Sequence, residues 1–283
     1  EIWEPANDAD NYAGPVTMRR ALLLSANSAT VRLSERVGRD QVIAMARRAG
    51  ITSPLADVPS LALGSSEVTP LELVRSYAIF ANGGRRVSPH LLTRIETPRG
   101  QVIWQADSIS TEAVLDPVEA FQMASMLQSV VDNGTAFEIR RLGVRGVVAG
   151  KTGTTNEGND VWFVGFTPEI VAGVWFGYDV PRPLGGGASG GRLAAPAWAE
   201  FYRTGLPDAS GQGWVPPEGV VARTIDGQTG ELANEYCPIT YREWFRRGTE
   251  PTRVCDEHHG SLWDAIEDFG GKIGETVKKI FGF

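Results

Sequence analysis

Val147–Thr155 reads Val-Val-Ala-Gly-Lys-Thr-Gly-Thr-Thr, an apolar run that leads directly into a lysine among small and β-branched residues. A second apolar run, Val161–Phe166, follows after a short loop rich in asparagine, glycine and aspartate. A third run covers Ile170–Tyr178, and the Thr-Pro-Glu sequence at Thr167–Glu169 is typical of a hairpin turn. The pattern predicts consecutive antiparallel strands, with Lys151 on the first of them.

Lys151 is the only lysine before Lys272, although the chain contains 23 arginines. Lysine is a compact cation that can lose its proton, whereas arginine is effectively always charged. This difference matters where a proton or a developing negative charge has to be handled. Lys151 is therefore a candidate catalytic residue, and the alternative is a chance lysine on an edge strand.

Helical patterns precede and follow the predicted strands. Helix-start signals, an N-cap residue followed by proline, occur at Thr69-Pro70 and Asp116-Pro117, and Gly50 is placed to end a helix. One predicted helix begins after Thr17, and further predicted helices cover Arg39–Ala49, Pro70 to Asn82, Pro117 to Asn133 and Leu193–Tyr202. A β-hairpin is predicted from Leu91–Glu96 and Gln101–Gln105. Helices, then antiparallel strands, then a helix indicate an α+β fold and not alternating βαβ units.

Ser25–Ser28 is a polar segment inside an otherwise apolar helical pattern that runs from Met18 to Val37. Such residues either hydrogen-bond back to their own helix or face a group that needs them. The pattern alone leaves both readings open.

Composition excludes several classes of protein. A chain of 283 residues with a net charge of −7 and scattered arginines does not suit nucleic acid as a partner. No apolar run approaches the length of a membrane span, and Glu1–Pro5 lacks the features of a signal peptide and an initiator methionine. We therefore expect the chain to be a fragment of a longer protein.

Gly185–Gly190 satisfies the pattern G-x-G-x-x-G, which also occurs in dinucleotide-binding proteins. Pro181 and Pro183 separate it from the preceding strand, and no parallel strand ending in an acid follows. The segment is interpreted as a flexible loop, and no cofactor is predicted.

Cys237 and Cys255 lie in a segment punctuated by proline and glycine. They could form a disulfide if the chain resides outside the cytoplasm. Zinc binding with His258 and His259 is the alternative, but adjacent histidines rarely point the same way and no Cys-x-x-Cys pair is present. No metal site is predicted.

The spacing of the motifs divides the chain into three parts. Residues 1–204 carry the predicted α+β domain, and residues 205–260 look like an irregular extension. Residues 261–283 carry apolar residues at helical spacing, with acids early and lysines late, which predicts an amphipathic tail helix. Such a helix could contact a membrane surface or a partner, or remain frayed.

Two short motifs, Ser25-x-Asn27 and Lys151–Thr154 (Lys-Thr-Gly-Thr), occur in this order. With them the chain resembles the transpeptidase domain of class A penicillin-binding proteins, whose superfamily carries S-x-x-K, S-D-N and K-T-G motifs. The resemblance covers about residues 3–256, extends into the irregular segment, and excludes the tail. It also includes Tyr12–Gly14, Val16–Leu22, Leu63-Gly64, Glu67–Glu72, Phe80–Gly84, Gly134–Ala136, Val174–Asp179, Ala195–Trp198, Cys237-Pro238 and Gly248–Thr252.

The resemblance implies a role for each motif residue. Ser25 would be the proton shuttle, and Lys151 would supply a positive field and orient Ser25. Asn27 would hold the backbone amide of the substrate. The residues implied in substrate binding, mainly through its carboxylate, are Thr152, Thr154 and Thr155, and the Thr154 amide would form half of the oxyanion hole. Gly153 would leave room for a substrate lying along the strand.

The first motif is missing, because no serine in the chain has a lysine three residues later. The resemblance therefore implies an N-terminally truncated fold of the penicillin-binding protein and serine β-lactamase type, an antiparallel sheet flanked by helices. We expect this chain alone to be inactive. The resemblance implies that the intact protein is a bifunctional glycosyltransferase and D,D-transpeptidase. It would lie on the extracytoplasmic side of the bacterial membrane and be held there by an N-terminal anchor. The implied partners are peptidoglycan stem peptides, a lipid-linked precursor and, as covalent inhibitors, β-lactams.

Two alternatives to this reading are retained. A non-catalytic module could bind stem peptides or β-lactams without forming a covalent bond. A serine β-lactamase fits less well, because such compact enzymes would not need the segment that contains Cys237 and Cys255.

Overall fold

The computed structural model describes residues 5, 7, 12, 14–106, 111–206 and 211–258. These residues fall into two units, of which the first holds those up to residue 12 and from 18 to 220. The second unit consists of residues 14–17 and 221–258. The predicted tail helix lies outside the described residues.

The described helices and strands come in groups, as expected for an α+β fold. The helices are α1 (Met18–Leu23), α2 (Asn27–Val37), α3 (Arg39–Ala49), α4 (Pro70–Ala81), α5 (Pro117–Asn133), α6 (Glu138–Arg141) and α7 (Ala195–Gly205). The strands are β1 (Arg85–Val87), β2 (Arg94–Glu96), β3 (Val102–Gln105), β4 (Thr111–Ala113), β5 (Ala149–Thr154), β6 (Val161–Phe166), β7 (Val171–Phe176), β8 (Val220–Asp226) and β9 (Thr240–Arg246).

The main sheet of the first unit consists of β5, β6 and β7 in that order, all antiparallel. Lys151 lies opposite Val164, and the amide of Thr167 donates to the carbonyl of Ile170 to close the predicted hairpin turn. Within the described part of the chain, β5 pairs with no strand but β6. The strand that carries Lys151 thus has one edge without a neighbouring strand, which can accept an extended peptide.

The core of the first unit lies where α5 and α7 cover the sheet. Trp198 of α7 is fully buried, meets Phe163 edge to face at 5.6 Å and donates its indole N–H to the carbonyl of Ala172. A Cβ at Gly165 would lie 2.6 Å from Trp198, so only glycine lets the helix approach the sheet this closely. The burial of large aromatic surface fixes the sheet against the helices.

The helix-start signals identified in the sequence are confirmed. Thr69 and Glu72 form a reciprocal capping box at the start of α4, and the Asp116 side chain accepts from the Val118 amide at the start of α5. Gly50 ends α3 in the left-handed conformation. These local hydrogen bonds satisfy backbone donors and acceptors that have no partner within the helix.

The polar segment Ser25–Ser28 divides two helices. Ser25 has φ of 53°, in the left-handed region, and α2 begins at Asn27. The Ser25 amide donates to the Leu22 carbonyl and the Ala26 amide to the Ala21 carbonyl, which closes the end of α1. The chain therefore turns sharply at Ser25 and does not continue as one helix.

The second unit is more regular than the sequence indicated. Strands β8 and β9 form a two-stranded sheet within the segment that was expected to be irregular. Single bridges join Leu232 to Ile225 and to Val254. The expectation of irregular structure is wrong here because glycine and proline around each strand masked two runs of seven strand residues.

Candidate active site

Lys151 and Ser25 come together although 126 positions separate them in the sequence. The Lys151 ammonium donates to Ser25 Oγ at 2.8 Å and to the Thr152 carbonyl at 3.0 Å. Burial lowers the pKa of Lys151 to about 8. The polar residue in the kink between α1 and α2 therefore faces a group that needs it, which decides between the two readings of this segment.

Arg19 fixes the position of α1, and so of Ser25, relative to the sheet. Its side chain is buried, and it donates to the Ser125 carbonyl at 2.6 Å, to Ser129 Oγ at 2.7 Å and to Ser125 Oγ at 2.9 Å. Both serines lie on α5, which packs directly on β5. Arg19 is a positioning residue that the sequence did not reveal, because an arginine in a short helix is usually exposed.

Asn27 is the first residue of α2, two positions after Ser25, and its side chain is half-buried. The chain turns at Ser25, and a new helix begins two residues later at Asn27. Asn27 therefore lies next to the kink that carries Ser25. Its role in holding a substrate amide stays a prediction.

The hydroxyl groups of Thr152 and Thr154 have hydrogen-bond partners outside their own strand. Thr152 Oγ1 lies 2.7 Å from Thr135 Oγ1, and Thr154 Oγ1 accepts from the Gly190 amide at 3.0 Å. Thr135 follows α5 and is exposed, so it adds a third hydroxyl at this edge of the sheet. Its place beside Thr152 was not predicted, since nothing in the sequence connects Gly134–Ala136 with β5.

Thr155 has a different environment from the other two threonines. Its Oγ1 accepts from the Asp160 amide at 2.8 Å, and its amide donates to the Asp160 carbonyl at 3.0 Å. These bonds close the connection between β5 and β6. A substrate contact of Thr155 stays a prediction.

The two glycines of β5 differ in what a side chain would meet. A Cβ at Gly150 would lie 2.5 Å from Phe163 and 2.6 Å from the Val164 carbonyl, within the packed sheet. A Cβ at Gly153 would meet only Trp162 Cβ, at 3.3 Å. Gly150 is required by packing, whereas a side chain at Gly153 would meet a single tight neighbour that could give way by a few tenths of an ångström.

The glycine-rich segment is packed against the site at its C-terminal end. A Cβ at Gly190 would lie 2.3 Å from the Trp162 carbonyl and 2.7 Å from the Gly153 carbonyl, and one at Gly191 would lie 2.3 Å from the Thr135 carbonyl. Gly190 is also buried. The interpretation of this segment as a flexible loop is wrong for its last residues, because close backbone approach requires glycine there.

A serine accepts from a partly desolvated lysine beside an edge strand with threonine hydroxyls, on an antiparallel sheet flanked by helices. This arrangement defines the class of penicillin-binding and serine β-lactamase-like folds. The family described as the penicillin-binding protein transpeptidase domain matches residues 1–203. The chain belongs to this family. Residues 216–260 match the C-terminal domain of penicillin-binding protein 1A, so the resemblance and the fold class identified from the sequence are confirmed.

Relatives of known name agree with this assignment. The chain is 38% identical to penicillin-binding protein 1A of Neisseria gonorrhoeae over 226 residues, which are 78% of this chain and 28% of that protein. It is 39% identical to penicillin-binding protein 1A of Aquifex aeolicus over 267 residues, 93% of this chain and 35% of that protein. The chain thus spans about a third of the length of these curated relatives.

Solved structures give the same fold. A crystal structure of penicillin-binding protein 1A from Haemophilus influenzae superposes with a TM-score of 0.83 at 29% identity, covering 90% of this chain and 43% of that one. The PonA1 protein from Mycobacterium tuberculosis, in complex with penicillin V, has a TM-score of 0.64 at 22% identity and covers 75% of this chain and 61% of that one. No helix among the described residues is long and apolar enough to cross a membrane.

Proposed function

We propose that this chain is the substrate-holding and proton-transfer part of a serine D,D-transpeptidase that cross-links peptidoglycan stem peptides. The observation that carries the proposal is the hydrogen bond from Lys151 to Ser25, 2.8 Å long, at the unpaired edge of β5. In the intact protein, which would also carry a glycosyltransferase domain and a membrane anchor, this site would work on the extracytoplasmic side of the membrane.

The geometry suits the departure of an amine. When an acyl-enzyme forms, the released D-alanine must receive a proton. Ser25 accepts a hydrogen bond from Lys151, so its own O–H is available to the leaving nitrogen. Lys151 can then return a proton to Ser25, and its lowered pKa of about 8 makes that transfer easier than it would be from an ordinary lysine.

The edge of β5 suits the rest of the substrate. An extended stem peptide can lie along the unpaired edge, with Gly153 leaving the necessary space. In this proposal the hydroxyls of Thr152, Thr154 and Thr135 bind the terminal carboxylate. In this proposal the attacking serine and its Ser-x-x-Lys motif belong to a segment outside these 283 residues, so the chain alone forms no acyl-enzyme.

The test uses intact-mass spectrometry with penicillin on two proteins, this chain and a longer product of the same gene that contains a Ser-x-x-Lys. We expect a covalent adduct on the longer protein, lost when the serine of that motif is replaced by alanine, and no adduct on the 283 residues. An adduct on this chain would contradict the missing nucleophile. A longer protein that binds penicillin only reversibly would favour a non-catalytic recognition module.

Ser25 can be tested in the longer protein with a matched control three residues away. Ser25→Ala should slow acylation by roughly 100- to 10,000-fold, the usual contribution of a positioned proton donor. Ser28→Ala is the control, because Ser28 hydrogen-bonds to Asn7 and not to Lys151. Equal rates in the two variants would reject Ser25 as the proton shuttle.

A further inference from the structure

Four side chains with metal-binding atoms meet in the second unit. One atom from each of Asp226, Cys237, Cys255 and His258 lies within 4.8 Å of all the others. Cys255 Sγ is 3.4 Å from His258 Nδ1, and Asp226 Oδ2 is 3.2 Å from the same nitrogen. Four ligands around a tetrahedral Zn²⁺ are separated by about 3.3–3.8 Å, as bonds of ~2.0 Å to N or O and ~2.3 Å to S require. The cluster is thus close to the geometry of such a site.

The Asp226 carboxylate points to a cation. Its side chain is fully buried, and Oδ1 accepts from the amides of Gln228 and Thr229 and from the Thr229 hydroxyl, at 2.8–3.1 Å. The other oxygen, Oδ2, is buried without a well-formed hydrogen bond from the described residues, and His258 Nδ1 lies 3.2 Å from it. A buried carboxylate oxygen of this kind is stabilised by a positive charge, either a protonated His258 or a bound metal ion.

The surrounding backbone holds the ligands in place. The Asn234 side chain donates to the Cys255 carbonyl at 2.8 Å, and the Asn234 amide donates to Cys237 Sγ at 3.4 Å. The Cys255 amide donates to the Leu232 carbonyl at 2.8 Å. The two bonds that involve the Cys255 carbonyl and amide tie the segment of Cys255 to the segment of Leu232 and Asn234 without using a ligand side chain. Such a frame is what a metal site needs for its ligands to meet.

We infer that Asp226, Cys237, Cys255 and His258 form a structural Zn²⁺ site in the second unit. Two sulfur ligands, one nitrogen and one oxygen suit Zn²⁺, which is borderline soft and prefers tetrahedral coordination. All four positions are filled by side chains, so the site has no open position for catalysis. Binding replaces the two thiol protons, and the three negative ligands with Zn²⁺ leave a net charge of −1 on the site.

A disulfide between Cys237 and Cys255 explains less of the geometry. Both cysteines are free thiols in the structure. Oxidation would use the two sulfurs and leave Asp226 and His258 outside the linkage, with only their mutual contact at 3.2 Å. Zinc accounts for all four side chains. The sequence alone led us to set zinc aside because we looked for a Cys-x-x-Cys pair, whereas Cys255 and His258 form a Cys-x-x-His pair. The fourth ligand, Asp226, lies on a separate strand and was not considered.

The test measures zinc in the full 283-residue chain, purified without chelator, by mass spectrometry of the metal. We expect one zinc per chain, and Co²⁺ in its place should give the absorption of tetrahedral thiolate coordination. The thiols should react slowly with an alkylating reagent until a chelator is added. The inference is overturned if the chain holds no zinc after reduction and addition of Zn²⁺. It is also overturned if, after the same treatment, the chain mass is lower by two hydrogens and no thiol reacts, since Cys237 and Cys255 then form a disulfide.

Variants separate ligands from bystanders. His258→Ala and Asp226→Asn should weaken zinc binding by more than the roughly 10- to 100-fold expected for an outer-shell partner. His90→Ala is the matched control, since His90 is exposed and belongs to the first unit. Asp226→Asn keeps the oxygen that accepts from Thr229, so the loop remains capped. Unchanged zinc affinity in both ligand variants would also overturn the inference, whatever the result of the penicillin experiments.

Discussion

Lys151 should lose its proton at a lower pH in the folded chain than in the unfolded one. Burial lowers its pKa to about 8 from an ordinary value of 10.5. Between these values the unfolded state binds more protons than the folded state, so the free energy of unfolding should rise with pH in this window. Below pH 8 both states hold the proton, and the full cost of burying the ammonium is present.

The size of the effect follows from the two pKa values. Integrating the proton uptake of this single group gives a gain of about 2 kcal/mol in the free energy of unfolding between about pH 7 and pH 9.5. Lys151→Met removes the ionisable group and should abolish this gain. The lost hydrogen bonds to Ser25 and the Thr152 carbonyl change the stability of the variant at every pH, but not its slope.

The stability assay is urea unfolding of the wild type and Lys151→Met across this pH range, followed by tryptophan fluorescence. Taking the difference between the two proteins cancels all other titrating groups. A direct assay is NMR of the chain labelled with ¹³C at lysine Cε, since four lysines give four signals. The signal of Lys151 is assigned as the one that disappears in the Lys151→Arg variant. In the wild type this signal should titrate near pH 8. Parallel stability curves together with a titration near 10.5 would refute the burial of Lys151.

Two further predictions concern packing around the site. Gly153→Ala should change the free energy of unfolding by no more than about 1 kcal/mol but slow the acylation of the longer protein by penicillin. Gly150→Ala should lower the free energy of unfolding by roughly 1–3 kcal/mol through overpacking against Phe163. Equal losses of stability in the two variants would contradict the distinction between the two glycines. Arg19→Met should cost about 3 kcal/mol in urea unfolding, because it leaves buried partners on α5 without a donor. Arg36→Met on the exposed face of α2 is the control and should change stability by less than about 0.5 kcal/mol.

The fold of the first unit was largely predictable because its signals are local. The capping box at Thr69 and Glu72 and the cap at Asp116 each act within a few residues, so the sequence contains them in readable form. The same holds for β5, β6 and β7, whose apolar runs are short and separated by clear turns. Lys151 was identified by its rarity and its setting, and its contact with Ser25 agrees with the resemblance to the family.

What the sequence did not provide are contacts between distant segments. Arg19 meets Ser125 across 106 positions, and the Thr135 hydroxyl meets Thr152 only because α5 ends beside β5. Gly190 looked like part of a mobile loop until the Trp162 carbonyl was found against it. The ligand cluster around Asp226 is another case, since its members come from three separate segments. Tertiary packing decides such features, and local patterns carry no record of it.

The proposed role of Ser25 implies a conflict between stability and catalysis at the kink. A residue other than glycine in the left-handed region costs about 1–2 kcal/mol, and Ser25 occupies it with φ of 53°. Glycine would adopt the same backbone without that strain, but it has no hydroxyl for the proton transfer proposed above. On that proposal, selection for stability alone would favour glycine at this position, whereas selection for cross-linking would keep serine. Directed evolution of the longer protein for thermostability, without selection for cross-linking, should then yield the Ser25→Gly substitution.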